Sequence, residues 1–291
     1  MCCDNDFSTM NESTPLFASD QYKALVIGAS GAIGGAFVQA FHSDPLCTHV
    51  ELISRGPQSG FDLMNEESIR AQATLSQAHG PYHLIIDATG ALAINGVGPE
   101  KALSSLNPDH LMQTFLINTI GPAMVMRYFS PLLAKGSSVY AKLSARVGSI
   151  TDNKKGGWYG YRSAKAAMNM MLQTAAIELQ RKNPDLRVVA LQPGTVKSRL
   201  SQAFTSYSIN VLEPQESVTG MLDALKALQA KPGAYCFIAN GDGSHREMGH
   251  GAGPCMLHNP SYDFNDDLIP LGGTYWVELA TQWLANPTQT K

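Results

Sequence analysis

The stretch that decides the fold is residues 23–34, which reads Lys-Ala-Leu-Val-Ile-Gly-Ala-Ser-Gly-Ala-Ile-Gly. A short apolar run that ends in glycine is typical of a buried parallel strand. The glycines that follow, Gly28 to Gly34, lie between this strand and the first turn of a helix. Glycine permits a tight turn there, and the free amides at a helix N-terminus attract a phosphate. The stretch therefore predicts a strand, a loop that binds the pyrophosphate of a dinucleotide, and a helix.

The same alternation continues along the chain and predicts a single α/β domain. Apolar strand patterns alternate with helical patterns, which favours βαβ units and a doubly wound parallel sheet of the Rossmann type. The predicted strands are residues 23–28, 49–54, 83–87, 137–143, 186–191 and 233–239. The predicted helices are residues 34–42, 66–78, 108–133, 159–181 and 214–230.

Composition excludes several classes of protein. The formal charge is −3, which gives no electrostatic reason to expect nucleic acid or an anionic membrane as a partner. No apolar run approaches the ~18 residues of a membrane span. The five cysteines are scattered and lack a Cys-x-x-Cys pair, which indicates reduced thiols in a cytoplasmic protein. We expect residues 1–21, which are polar, to form a disordered leader.

A candidate acid–base pair lies in the predicted helix 159–181. Tyr161 and Lys165 are one helical turn apart on the same face. A carbonyl that accepts hydride also needs a proton, and a tyrosine can donate it if a neighbouring ammonium lowers its pKa from ~10. Tyr159 is a rival tyrosine, but Ser163 stands where its lysine partner would be.

Together these motifs resemble those of the short-chain dehydrogenase/reductase family, over about residues 22–239, and in particular its C-factor-like branch. Gly28 and Gly34 match the glycine loop, although Ile27 and Ala32 replace its threonine and its middle glycine. The resemblance implies that Tyr161, Lys165, Ser144 and Asn118 are catalytic. Ser144 would orient the substrate oxygen, and Asn118 would anchor a water of the proton relay.

The resemblance also implies the residues that contact the cofactor. Asp87-Ala88-Thr89-Gly90 stands where the family has Asn-Asn-Ala-Gly, and Pro193-Gly194-Thr195-Val196 matches the turn beside the nicotinamide. The expected cofactor-binding residues are Gly28, Ser30, Ala32, Ile33, Gly34, Ser54, Arg55, Asp62, Leu63, Ala88, Thr89, Gly90, Tyr161, Lys165, Pro193, Gly194 and Val196.

Cofactor choice depends on the end of the second strand. An arginine, Arg55, stands where an NAD-binding loop offers an acid, and guanidinium suits the 2′-phosphate of NADP. A solvated arginine at a strand end is the alternative. Asp62-Leu63 resembles the pair that contacts adenine, and only six residues separate Arg55 from Asp62. We therefore expect NADP, and an abbreviated crossover in place of a further helix and strand.

Residues 240–291 form a C-terminal extension with a glycine-rich start. His245, His250, Cys255 and His258 lie there, but they lack the tight spacing of a zinc knuckle, so no metal is expected. A lid or a subunit contact that ends in a helix over residues 274–285 is favoured. The predicted helices 108–133 and 159–181 are apolar nearly all round, which favours a homodimer or homotetramer, although the extension is another candidate to cover them.

The sequence thus predicts a cytoplasmic NADP(H)-dependent carbonyl reductase or alcohol dehydrogenase that acts on a small-molecule substrate. The alternative is a dinucleotide-binding signalling or regulatory protein in which turnover is incidental. An activated tyrosine favours the enzyme, since a pure sensor has no need of one.

Overall fold

The computed structural model describes residues 21–56, 60–198, 211–229 and 236–239. They form a six-stranded sheet in the order β2-β1-β3-β4-β5-β6, and every neighbouring pair is parallel. This topology confirms the doubly wound sheet of the Rossmann type. The strands are β1 (Tyr22–Ile27), β2 (Cys47–Ile53), β3 (Leu84–Asp87), β4 (Ser138–Leu143), β5 (Leu186–Gln192) and β6 (Cys236–Ala239).

Helices cover both faces of the sheet because successive strand side chains point to opposite sides. On one face, α1 and α6 pack against residues such as Val26 and Ile86. On the other face, α2, α4 and α5 pack against residues such as Leu25 and Ile85. The α-helices are α1 (Ala32–Ser43), α2 (Glu66–Ser76), α3 (Pro108–Phe115), α4 (Gly121–Phe129), α5 (Tyr159–Gln180) and α6 (Pro214–Gln229).

The strand order reverses between β1 and β3, whose connections run to opposite faces of the sheet. The carboxyl ends of these strands therefore border a crevice, which is where ligands bind in open α/β sheets. Between β2 and α2 the described residues contain no strand, in agreement with the abbreviated crossover. Asn65 begins α2 by accepting hydrogen bonds from the amides of Glu67 and Ser68.

The single helix predicted for residues 108–133 is wrong in one respect. A π-helical segment, Leu116–Ile120, separates α3 from α4, and a 3₁₀ turn, Ser130–Leu132, ends the run. Pro122 lies at the start of α4 and has no amide hydrogen to donate to the carbonyl one turn earlier. The amide of Gly121 donates instead to the carbonyl of Leu116, five residues back, which is the π pattern.

Several expectations fall on residues outside those described. They are the leader, whose first 20 residues are not described, the extension 240–291, and His245, His250, Cys255 and His258. Within the described part of the chain, no helix is both long enough and apolar enough to span a membrane.

Candidate functional site

Two glycines of the loop after β1, Gly28 and Gly34, lie too close to neighbouring backbone to carry a side chain. A Cβ atom on Gly34 would lie 2.2 Å from the carbonyl oxygen of Gly28. Gly28 has a φ of +89°, and a Cβ there would lie 3.0 Å from the backbone of Ala88. The loop therefore lets α1 approach β1 closely and brings the ends of β1 and β3 together.

The N-terminus of α1 is open to a ligand. Its N-cap residue, Gly31, makes no side-chain hydrogen bond, and Ser30, Gly31 and Ala32 are exposed while Ile33 is partly buried. The amides of the first helical turn consequently have no capping side chain. Free amides at the positive end of a helix fit a pyrophosphate, so this loop fits the phosphates of a dinucleotide.

The residues after β2 lie at the same edge of the sheet. Ser54 is partly buried and Arg55 is exposed, directly after the strand ends at Ile53. Asp62 accepts a hydrogen bond at Oδ1 from the amide of Met64, so part of its carboxylate already orders its own turn. Leu63 is buried in the core instead of lining an open surface.

The loop after β3 lies between the glycine loop and α5. Thr89 donates hydrogen bonds from its amide and hydroxyl to Oδ1 of Asp87. Ala88, Thr89 and Gly90 are partly buried, and a Cβ on Gly90 would lie 3.5 Å from Nζ of Lys165. Asp87 is fully buried, so it organises the loop from beneath.

Asp87 is also half of a buried ion pair that the sequence analysis did not identify. Nζ of Lys142, on β4, lies 3.0 Å from Oδ1 of Asp87 and donates to the carbonyl of Thr89 at 2.6 Å. Both side chains of the ion pair are fully buried. The sequence offered one signal of this ion pair, which is a lysine within the otherwise mostly apolar strand pattern of β4.

Tyr161 and Lys165 lie together, as predicted, and the charges of Lys142 and Asp87 act on Lys165. Nζ of Lys165 is 5.6 Å from the centre of the Tyr161 ring and donates to the carbonyl of Leu143 at 3.2 Å. Among the described residues, none makes a hydrogen bond with the Tyr161 hydroxyl, and the side chain is 9% exposed. The phenol is therefore free to meet a substrate at the edge of the crevice.

The expected lowering of the Tyr161 pKa is not found in the free protein. Burial raises the pKa of Tyr161 to about 12. Burial also lowers the pKa of Lys165 to about 7, assisted by the charge of Lys142 and opposed by Asp87. The Lys165 ammonium lies over the ring of Tyr161, 5.6 Å from its centre. At that position it does not offset the desolvation of the phenolate, which raises the pKa.

Asn118 lies in the π segment, fully buried against the loop after β3. Its Nδ2 donates to the carbonyls of Ala91 and Thr114, and its Oδ1 accepts from the amide of Ala91. Thr119, in the same segment, donates to the carbonyl of Ala164 in α5. The π segment therefore contacts both the loop after β3 and α5, and it fixes their relative position.

Ser144 follows β4 as predicted, but its hydroxyl is already engaged. Oγ donates to Oδ1 of Asn169 at 2.6 Å, and the side chain is buried. Asn169 lies one turn beyond Lys165 on α5, so this bond joins the end of β4 to α5. The structure thus brings Ser144 to α5, and no hydrogen bond joins it to Tyr161 among the described residues.

The entry to α5 involves two further residues that the sequence analysis missed. Trp158 has a φ of 57° and its ring meets that of Tyr161 edge-on, with centroids 6.2 Å apart. Glu100 is buried, and its carboxylate accepts the amide of Gly160 at 3.0 Å. A carboxylate at the start of a helix opposes the positive end of the helix dipole and fixes the first turn, which carries Tyr161.

The turn after β5 completes the edge. Pro193 is partly buried, and its carbonyl accepts the hydroxyl of Ser217 at 2.7 Å. Gly194 is exposed and Val196 is buried, while a bridge pairs Val196 with Leu212. The predicted contacts of this turn thus lie at the carboxyl end of β5, next to the end of β4.

Comparison with known proteins agrees with this arrangement. The family model for short chain dehydrogenases matches residues 22–208. A 1-hydroxy-2-glutathionyl-2-methyl-3-butene dehydrogenase from Rhodococcus sp. (strain AD45) is 28% identical over 208 residues, which is 68% of this chain and 88% of that protein. The C-signal protein of Myxococcus xanthus is 29% identical over 174 residues, 60% of this chain and 97% of that protein.

Solved structures share the fold at lower identity. The NADPH-bound carbonyl reductase from chicken fatty liver has a TM-score of 0.65 at 21% identity, covering 77% of this chain and 94% of that one. A short-chain dehydrogenase/reductase from Burkholderia multivorans with bound NADP has a TM-score of 0.62 at 20% identity, covering 75% and 96%. With the matched family model and the shared sheet, the chain belongs to the short-chain dehydrogenases, a family of oxidoreductases.

Proposed function

We propose that this protein is an NADP(H)-dependent carbonyl reductase or alcohol dehydrogenase in which Tyr161 is the general acid and base. The observation that carries the proposal is the Tyr161 hydroxyl, which has no hydrogen-bond partner among the described residues and stands beside a buried lysine. A phenol in that state is available to a substrate oxygen. Four residues are assigned catalytic roles, and they are Tyr161, Lys165, Ser144 and Asn118.

The cofactor, when bound, supplies the hydride that reduces the carbonyl carbon or accepts it from the alcohol. Tyr161 holds its proton at neutral pH, since burial raises its pKa to about 12. In reduction it donates this proton to the substrate oxygen, so the carbonyl gains hydride at carbon and a proton at oxygen. The phenolate that remains is stabilised by the Lys165 ammonium, whose own proton becomes more firmly held as the phenolate forms.

Ser144 has a conditional part in this scheme. Its single hydroxyl hydrogen is donated to Asn169, so orienting a substrate oxygen requires that the substrate replace Asn169 as its partner. Asn118 acts through the backbone that it holds, because both ends of its amide are bound to Ala91. We propose that Asn118 contributes to a proton relay indirectly, by fixing the backbone of the loop at Ala91.

The proposed cofactor contacts follow the carboxyl edge of the sheet. The amides near Ser30 and Ala32 would bind the pyrophosphate, and the loops at Thr89 and Gly194 would border the nicotinamide half. Exposed Arg55 at the end of β2 would pair with a 2′-phosphate, which favours NADP over NAD. In line with this, the matched chicken and Burkholderia structures contain NADPH and NADP.

We also propose that the protein is a homodimer or homotetramer in the cytoplasm. Met170, Met171 and Ile177 on α5 are exposed, and so are Met112 and Ile120 near α3. Exposed apolar side chains on neighbouring helices are typical of a subunit contact. The extension 240–291 remains the other candidate to cover them.

The deciding experiment combines turnover with cofactor binding. Purified full-length protein should oxidise NADPH in the presence of at least one member of a panel of aldehydes and ketones, and Tyr161→Phe should stop this while still binding NADPH. Binding by the native protein without any oxidation, unchanged in Tyr161→Phe, would contradict the enzyme.

That result would instead support the second candidate, a dinucleotide-binding signalling protein. The observation that favours it is the match to C-signal, which extends over 97% of that protein.

A further inference from the structure

A cluster of ligand-type side chains lies on the edge strand β2, separate from the residues assigned to catalysis and cofactor binding. His49 and Glu51 are two residues apart and so share one face of the strand. His79 lies shortly after α2, which ends at Ser76 and packs over that face. The ligand atoms of the three residues all lie within 4.8 Å of one another.

The geometry of the cluster leaves one nitrogen unexplained. Nδ1 of His79 is 2.9 Å from Oε2 of Glu51, which is a hydrogen-bond distance. Nε2 of His49 is shielded from solvent, lies 3.9 Å from the same oxygen and makes no hydrogen bond with any described residue. A buried polar atom without a partner costs about 1–3 kcal/mol, so the position of His49 needs a reason.

Glu51 is held in place by two other donors. Oγ of Ser76 donates to Oε1 at 2.6 Å, and the buried hydroxyl of Tyr82 donates to Oε2. The carboxylate is therefore oriented by its neighbours, as carboxylates at metal sites are.

A purely structural role explains only part of this arrangement. Hydrogen bonds from Ser76, Tyr82 and His79 to Glu51 would suffice to tie the end of α2 to β2. They give no role to Nε2 of His49. The ammonium of Lys23 donates to the backbone carbonyl of His79 at 2.8 Å.

We propose that His49, Glu51 and His79 bind a divalent transition ion of the Zn²⁺ class. Two imidazoles and a carboxylate are ligands that Zn²⁺ accepts, and ligands at about 2.0–2.2 Å from a tetrahedral ion lie about 3.3 Å apart. The observed separations of 2.9 and 3.9 Å bracket that value. The side chain of His79 is 57% exposed, so a fourth position opens to solvent. The ion joins the edge strand to the end of α2, and this does not depend on the proposed function.

The test is zinc binding by the full-length protein without an affinity tag. Titration with ZnCl₂ against a chromophoric chelator should show an ion bound at this site, and zinc should raise the melting temperature, because it binds the folded state. His79→Ala and His49→Ala should each weaken binding about tenfold or more. Tyr82→Phe, which leaves the three ligands in place, should weaken it by about 10- to 100-fold.

Two controls separate this site from others. His42→Ala removes an exposed histidine from the end of α1 and should leave binding unchanged. A variant with alanine at His245, His250, Cys255 and His258 should lose none of the zinc-dependent rise in melting temperature that His79→Ala abolishes.

Equal affinity in the native protein, His79→Ala and His49→Ala would overturn the proposal, as would the absence of any zinc binding at micromolar concentration. If His49→Ala fails to fold, His79→Ala decides alone, since its side chain is largely exposed and its removal leaves the core intact.

Discussion

The sheet carries two groups of buried or half-buried ionisable side chains, one at the carboxyl ends of its central strands and one on its edge strand. At the central strands, two lysines, Lys142 and Lys165, accompany one carboxylate, Asp87. On the edge strand, one carboxylate, Glu51, accompanies two histidines and two hydroxyl donors.

The two groups differ in the sign of the charge that they stabilise. The central group has an excess of positive charge when Lys165 is protonated, and in its buried environment this favours the negative charge of a phenolate or a substrate oxygen. The edge group presents two imidazoles and a carboxylate, which are ligand types that favour a cation. The same sheet thus offers an anion-stabilising centre at its carboxyl edge and a candidate cation site on its flank.

The largest expected effect distinguishes Tyr161 from Tyr159, the two tyrosines in the first turn of α5. Tyr161→Phe should lower kcat by about 10²- to 10⁴-fold, since it removes the general acid. Tyr159→Phe is the matched control: Tyr159 is exposed and has no lysine partner, and its removal should leave kcat unchanged. Steady-state kinetics with NADPH and a carbonyl substrate measure both, and a comparable loss in the two variants would contradict the assignment.

The next effect compares the two carboxylate clusters as elements of stability. Lys142→Met should lower the free energy of unfolding by about 3–5 kcal/mol, because it leaves Asp87 as an unpaired buried charge. Glu51→Gln keeps the shape of its side chain and should cost about 1–3 kcal/mol. Urea denaturation measures the free energy of unfolding of both variants. A smaller decrease for Lys142→Met than for Glu51→Gln would contradict the expectation that the buried ion pair contributes more to stability.

A third effect is the pH dependence of stability that Lys165 produces. Its pKa is lowered from 10.5 to about 7 by folding, so between these values the unfolded chain binds more protons than the folded chain. Stability therefore rises with pH across that interval, by up to about 1.4 kcal/mol per pH unit from this group. Above about pH 9 the raised pKa of Cys47 begins to act in the opposite direction.

Urea denaturation between pH 7 and about 9 should show this rise in the native protein and a flatter profile in Lys165→Met. Lys142 remains in both proteins, so the comparison measures Lys165 together with its coupling to Lys142. Lys154→Met, which removes an exposed lysine, should keep the native slope. Parallel profiles for the native protein and Lys165→Met would refute the lowered pKa.

The smallest effect concerns the proposed cofactor contact at Arg55, just past the end of the edge strand β2 that carries Glu51. Arg55→Ala should raise the KM for NADPH about tenfold, equivalent to about 1.4 kcal/mol, and leave the KM for NADH nearly unchanged. Arg70→Ala removes another exposed arginine, one that pairs with Glu67, and should change neither value. An equal rise for both cofactors would argue against a phosphate contact at Arg55.

The sequence predicted the fold well because the pattern that encodes it is local. Six apolar strand patterns with helices between them correspond to the six strands observed, with bounds that differ by a few residues. The helix break at Leu116–Ile120 was missed because the apolar pattern of residues 108–133 continues across it. Its effect appears only where a missing amide changes the hydrogen-bond register.

The candidate site was predicted unevenly. Tyr161, Lys165 and the glycine loop come together as expected, since each follows from a motif at fixed spacing. The sequence did not predict the hydrogen bond from Ser144 to Asn169 or the buried ion pair of Lys142 with Asp87. Each joins residues more than 20 positions apart in the chain. Their catalytic or electrostatic consequences depend on distances that spacing does not contain.

By itself, the sequence determined the alternation of strands and helices, the glycine loop and the spacing that places Tyr161 and Lys165 on one face of a helix, because hydrophobic periodicity and helical spacing act over a few residues. The tertiary structure alone decided the protonation tendencies of Tyr161 and Lys165, since these follow from burial and from charges contributed by other strands. It also decided that His49, Glu51 and His79 meet, because α2 must fold back over the edge strand before His79 can approach Glu51.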